Sequence, residues 1–448
     1  MRKILDRLAP SGWLRQQLVR LISDSAIVSL GGGIAAVFGL IAFAISARIV
    51  SPAELGAMLL AQSAMFLVGR IFGLQGWNAF TRFGSEHIAK KEDREFRAAL
   101  GRSLVVDVIG IAMAVTASLL TIYVNGFYGL VEAPPWLLLL FAGVNLAKFG
   151  GTAASVLRIY SITGPLAWPP VYLSIVKAAA LLVVLYLGGD LFWVALIWAA
   201  HQFLMSAWPA IRCVRELSAR RLLPIFAPWD PGRFRRSFRF AVATHLASLS
   251  SSLQEFDTVV IGYLMNSEGV AIYRLAKDTT LKLIRLLAVL TQLAYPVFAQ
   301  LRFAGDGMLR RFGLRFLLFS FAIGAVLASA VAIGMVGLIP IAFPPEYAAA
   351  LLPAVIFCAA LPFEIVVRTG MPLLYSADRT ALALAISGLA GLVYLALIAL
   401  ASTTGHITLV ALAYLCCSVA VALCLCIIVW RMKDPGRAVA EASTSDQE

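Results

Sequence analysis

Charged residues are the scarcest class in this chain: Asp, Glu, Lys and Arg together make up 14% of 448 residues, against 61% hydrophobic ones. An ordinary soluble domain carries about a quarter charged residues, so that class is excluded. Histidine is rarer still, with four in all, and there are six cysteines. Cys416, Cys417, Cys424 and Cys426 crowd one apolar run and Cys358 lies in another. None stands at metal-ligand spacing from His87, His201, His245 or His406, so no metal or other cofactor is expected and the cysteines read as small packing residues. Of the histidines, only His245, inside the seventh apolar run, is a candidate to titrate in a functional cycle. Alternate loops lack Lys and Arg altogether and are short; the turn after the fifth run is little more than Gly188, Gly189 and Asp190. They leave no room for an extracytoplasmic catalytic domain, and the chain is not expected to be an enzyme.

What fills the sequence instead is a series of apolar runs that meet the roughly 20-residue requirement for crossing a bilayer. They lie at about 25–50, 55–78, 103–125, 136–157, 168–188 and 191–211, then 240–265, 270–300, 314–341, 347–374, 380–402 and 406–430. The expected fold class is therefore an all-α polytopic membrane protein with twelve transmembrane helices. The first run is too long for the apolar core of a cleaved signal and is kept as a span.

The loops alternate in charge. One set holds basic clusters such as Arg82, Lys90, Lys91, Arg94, Arg97 and Arg102, while the other holds only acids, among them Glu54, Glu132, Asp190, Glu268 and Glu346. By the positive-inside rule both termini are expected in the cytoplasm. The net charge of +13 is then a topology signal and an attraction to anionic lipid headgroups, and nucleic acid is not an expected partner.

Residues 1–24 interleave Ile4, Leu5, Leu8, Trp13 and Leu14 with Arg2, Lys3, Arg7 and Arg15, which suits an amphipathic segment on the cytoplasmic interface. Residues 212–239 hold eight arginines with Pro224, Pro228 and Pro231 and divide the spans six and six. This predicts an N-terminal bundle at 25–211, a basic linker at 212–239, a C-terminal bundle at 240–430 and a cytoplasmic tail at 431–448. A weak internal repeat agrees: Ser51-Pro52-Ala53-Glu54-Leu55-Gly56 after the first span is matched by Asn266-Ser267-Glu268-Gly269-Val270-Ala271 after the seventh. Six spans per half give the two copies the same orientation, as in parallel repeats.

Charges inside the apolar runs are the candidate functional residues, because ionised groups facing lipid are costly and normally line a bundle interior or wet cavity. Arg274, Lys277, Asp278, Lys282 and Arg285 fall within an arc of roughly 140° on one helix. Such a stripe either packs two helices or binds something polar. Arg70, Lys148 and Lys177 lie deep in the first half, and Arg368 adds a cation in the second. If these converge they form a cationic cavity, whose natural guest is a phosphate or pyrophosphate. Glu255, Asp257, Asp278 and Glu364 are candidate coupling groups or counter-charges. Glu255 and Asp257 point to opposite sides of a helix; each could take up a proton or sodium ion, or pair with Arg274 or Lys277. Glu364 and Arg368 have the spacing of an intrahelical ion pair. Asp107, one turn inside the third span, is expected to be solvated.

The stretches Ala47-Arg48-Ile49-Val50-Ser51-Pro52-Ala53-Glu54-Leu55-Gly56, Thr81-Arg82-Phe83-Gly84-Ser85-Glu86, Asp257-Thr258-Val259-Val260-Ile261-Gly262 and Phe343-Pro344-Pro345-Glu346-Tyr347-Ala348 resemble bacterial polysaccharide-biosynthesis membrane proteins of the multidrug/oligosaccharidyl-lipid/polysaccharide (MOP) exporter superfamily. The resemblance implies a MATE-like pair of six-helix bundles working by alternating access. It also implies a lipid-linked oligosaccharide on polyprenyl pyrophosphate as substrate, with membrane lipids, a proton or sodium coupling ion and other glycan-assembly membrane proteins as candidate partners. An ion-coupled drug exporter or another lipid flippase of the same fold is the alternative, and a membrane glycosyltransferase or polysaccharide polymerase a second one. The excess of buried Lys and Arg disfavours a site for cationic drugs, and the short, arginine-free outer loops disfavour the enzymes.

Overall fold

The computed structural model describes residues 12–160, 162, 164–226, 230–250, 252–281, 298, 308–377 and 379–432. Its regular structure there is helical throughout. Ten helices or helix pairs among the described residues are long and apolar enough to cross a membrane, and they correspond to the first six and last four runs read from the sequence. Their outward faces carry large apolar side chains such as Leu120, Tyr186, Ile333 and Leu400, 60%, 90%, 76% and 70% exposed. Faces of this kind need lipid rather than water beside them, and the protein is a multi-pass membrane protein.

In the first part of the chain the helices are α1 (Gly12–Ile49), α2 (Pro52–Phe72), α3 (Trp77–Ala89), α4 (Asp93–Tyr128), α5 (Pro135–Val144), α6 (Gly150–Ile159), α7 (Pro169–Tyr186) and α8 (Leu191–Ala219). Local chemistry sets several of the ends. Ser51 caps α2 in a reciprocal box with Glu54, Pro52 opens the first turn, and Gly73 closes the last. Asp190 caps α8 through the Phe192 N–H. Then follow α9 (Pro231–Ser250), α10 (Asp257–Leu264) and α11 (Ser267–Leu281). The run expected as a single seventh span is interrupted: α9 and α10 are separated by a 3-10 turn at Leu253–Phe256. The eighth run is helical to Leu281, and the rest of it lies outside the described residues. The last four spans are α12 (Met308–Ala342), α13 (Leu351–Ser376), α14 (Thr380–Ser402) and α15 (Ile407–Trp430). Pro209, Pro340, Pro362 and Pro372 lie inside helices without ending them.

The chain divides into two compact units, residues 34–274 and residues 1–33 with 275–448. In the first, α8 packs on α6 and α7, and α2 on α4 and α5. Phe80, Phe96, Val156 and Leu217 form one of its apolar cores. Small residues let backbones meet: a Cβ on Gly150 would stand 1.8 Å from the Ser206 carbonyl oxygen of α8. In the second unit α13 packs between α12 and α15 around Leu317, Leu373, Leu425 and Val429.

Candidate functional site

The charged side chains of the first unit gather along one side of α2. Arg70 stands in its last turn and Ser63 two turns earlier, a seven-residue spacing that keeps both on one face. The Arg70 guanidinium pairs with Glu255 at 3.0 Å and donates to the Ser252 hydroxyl, both in the broken seventh run. Arg274 of α11 donates from Nη1 to Ser63 Oγ at 3.0 Å. Lys148, just after the 3-10 turn Asn145–Ala147, brings its ammonium against the bare backbone of α2. A Cβ on Gly69 would lie 2.3 Å from Lys148 Nζ and 2.1 Å from Asn145 Oδ1; one on Gly73 would lie 3.3 Å from the same nitrogen. The Asn145 amide spans to Met65 O and Ser118 Oγ, while its Oδ1 is buried without a hydrogen-bond partner.

The charge balance at this spot is uneven. Arg70 acts on Lys148 as a like charge, and among the described residues no carboxylate acts on it. Among the described residues Glu255 is the acid paired with Arg70, and its side chain is 59% exposed. An exposed pair of this kind contributes about 0–1 kcal/mol, so a multiply charged anion could displace Glu255 at small cost. Two neighbouring cations, one of them without a counter-ion among the described residues, have the chemistry of a phosphate seat: Arg offers a fork of donors and Lys a point charge.

The remaining expected site residues sit elsewhere. Lys177 is buried under the Trp198 ring, 4.1 Å from its centroid, and Trp198 donates to Ser46 Oγ at 3.0 Å. Asp257 is 1% exposed and accepts from the Tyr273 hydroxyl at 2.6 Å. In the second unit, Lys277 lies over Tyr414, 5.9 Å from the ring centroid. There Glu364 accepts from Ser418 at 2.9 Å and approaches Arg368 to 3.9 Å, the intrahelical pair expected from their spacing. Asp278 is half-buried on α11. Lys282 and Arg285 lie outside the described residues.

Two expectations need correction. Glu255 pairs with Arg70 rather than with a cation of the eighth run, because the 3-10 turn at 253–256 swings it toward the end of α2. Asp107 is not solvated. It is 3% exposed and accepts from the Gly76 N–H at 2.7 Å, since the break between α2 and α3 folds onto α4. Sequence reading also missed Gly69, Asn145, Ser63 and Ser252. The four-residue spacing of Gly69 and Gly73 around Arg70, a small-residue notch for a close neighbour, was the one signal available.

A family model described as "Polysaccharide biosynthesis protein" matches residues 21–302. The inner membrane protein YghQ of Escherichia coli (strain K12) is 20% identical over 275 residues, covering 57% of this chain and 74% of that protein. Among solved structures, a multidrug resistance MATE family transporter of the MOP superfamily, in an inward-facing conformation, matches with a TM-score of 0.63 and 15% identity, over 90% of this chain and 97% of that one. The lipid II flippase MurJ, in an inward closed conformation, matches with a TM-score of 0.63 and 16% identity, over 90% of this chain and 87% of its own. These likenesses show the fold.

Proposed function

The chain belongs to the polysaccharide biosynthesis protein family and has the fold of the MOP exporters, and from that premise we propose that it is a flippase for a lipid-linked oligosaccharide rather than an enzyme. The substrate would be a glycan on a polyprenyl pyrophosphate, moved across a bacterial cytoplasmic membrane for surface polysaccharide synthesis. Both termini would be cytoplasmic. Two six-helix halves, 25–211 and 240–430, joined by the basic linker, would expose the site alternately to either side, and the lipid tail would remain in the bilayer.

The observation that carries this proposal is the ammonium of Lys148, held against Gly69 and Gly73 beside Arg70 with no carboxylate among the described residues acting on it. A cation in that position is costly unless an anion visits it. In such a complex Arg70 would exchange Glu255 for a phosphate oxygen, Lys148 would take a second one, and Arg274 would hold a further polar group. A drug exporter of the same fold is the competing function, and it would need an acidic seat where this chain has a basic one. The deciding experiment is deletion of the gene and scoring of surface glycans. Loss of one glycan, with its lipid-linked precursor accumulating inside and restored by wild-type protein but not by Lys148→Gln, supports the proposal. Unaltered glycans together with lost export of cationic dyes would overturn it.

A further inference from the structure

Asp107 presents a second site in the first unit, separate from the cations on α2. Its Oδ1 is satisfied by the Gly76 N–H at 2.7 Å. Its Oδ2 is buried with no hydrogen-bond partner, and so is the Thr152 hydroxyl of α6 that lies beside the carboxylate. Among the described residues no cation compensates it. Among titratable side chains on the helices packed against α4, Arg70 is paired with Glu255, and His245 is bonded to the Ile71 carbonyl at 3.0 Å. Arg82 lies over Phe83 and Phe240, Lys148 lies at Gly69 and Gly73, and Arg158 is exposed. None of them acts on the Asp107 carboxyl.

An ionised carboxylate so placed would be a buried charge held by one backbone N–H and a hydroxyl out of bonding geometry, which is unfavourable. The neutral acid avoids that cost, and a proton on Oδ2 gives it a donor to offer the Thr152 oxygen. A hard metal cation would find only two free side-chain oxygens, fewer than such ions take.

The surroundings also suggest what the proton would respond to. Asp107 fastens the start of α3 through Gly76, and His245 fastens the end of α2 through Ile71. Between them, residues 74–76 rest on α4 so closely that a Cβ on Gly110 would stand 2.1 Å from the Leu74 carbonyl oxygen. A movement of this break changes the carboxyl's bond to the Gly76 N–H and its access to water.

We propose that Asp107 is a proton-binding site, neutral in the state described here and releasing its proton to water when the α2–α3 break moves. The O–H bond breaks with its electron pair remaining on Oδ2. The further idea that this release is linked to substrate movement rests on the transporter function proposed above; the site itself does not.

The test is infrared difference spectroscopy of the purified full-length protein across a pH titration. A carboxylic acid C=O band that titrates in the wild type should be lost in Asp107→Asn. It should persist in Thr152→Val, which leaves the carboxyl in place. Thermal melts of both variants report that they are folded. Three results overturn the proposal: no titrating band in the wild type, an unchanged band in folded Asp107→Asn, or a band that answers to sodium chloride at fixed pH and not to protons. Because no substrate is needed, the band would survive failure of the glycan assignment.

Discussion

Gly56 of α2 and Ser267 of α11 touch backbone to backbone: a Cβ on Gly56 would lie 1.6 Å from the Ser267 carbonyl oxygen and 3.3 Å from the Ala271 nitrogen. The two residues belong to the two copies of the internal repeat, so the matched segments meet face to face. Glu132 adds a hydrogen bond to the Ser267 N–H at 3.1 Å. Substitution Gly56→Ala should force the helices apart and lower stability by about 1–3 kcal/mol, the usual cost of overpacking. A melt followed by size-exclusion chromatography in detergent checks this, and an unchanged melting temperature would show that the contact yields freely.

Removing the Lys148 charge should affect function more than folding. Lys148→Gln is expected to keep protein level and melting temperature while reducing transport roughly 10- to 100-fold, the worth of a charge-assisted bond. Surface glycan quantified against membrane protein abundance measures it. An equal fall in both would mean that the lysine only holds α2 in place.

Glu255 should be dispensable. Since its pair with Arg70 is half-exposed, Glu255→Gln is expected to change anion affinity by no more than about fivefold, in the direction of tighter binding. Titration of the purified protein with inorganic pyrophosphate provides the number. Abolished binding would instead make Glu255 part of the site.

Lys177 is expected to be structural. Its ammonium over Trp198 is a desolvated cation–π contact, and Lys177→Met should cost up to about 2 kcal/mol of stability. Trp198→Leu should cost more, because it removes both the ring and the bond to Ser46. If Lys177→Met were fully stable yet inactive in glycan transport, the lysine would belong with Lys148 among the substrate-binding cations.

The helices were legible because each depends on a local property: some twenty apolar residues between polar turns, with Ser51, Pro52 and Glu54 or Asp190 marking an entry. The break at 253–256 was not, since Ser252, Leu253, Gln254 and Glu255 fit a continuous helix as well as a 3-10 turn, and packing against α2 decides between them. Candidate cations could likewise be identified by type and depth but not sorted. Arg70, Lys148 and Arg274 meet on α2, whereas Lys177 sits under a tryptophan that no spacing rule would have paired with it.

By itself, then, the sequence determined that this is an all-helical membrane protein and which buried charges need an explanation, because hydrophobic run length and the cost of burying charge are properties of short segments. Only the tertiary structure decided that Lys148 stands beside Arg70 with no acid among the described residues to neutralise it, and that Asp107 is buried at a helix break. Both outcomes depend on which residues, tens of positions apart, the packing brings into contact, and Coulomb and hydrogen-bond energies are set by those distances rather than by order along the chain.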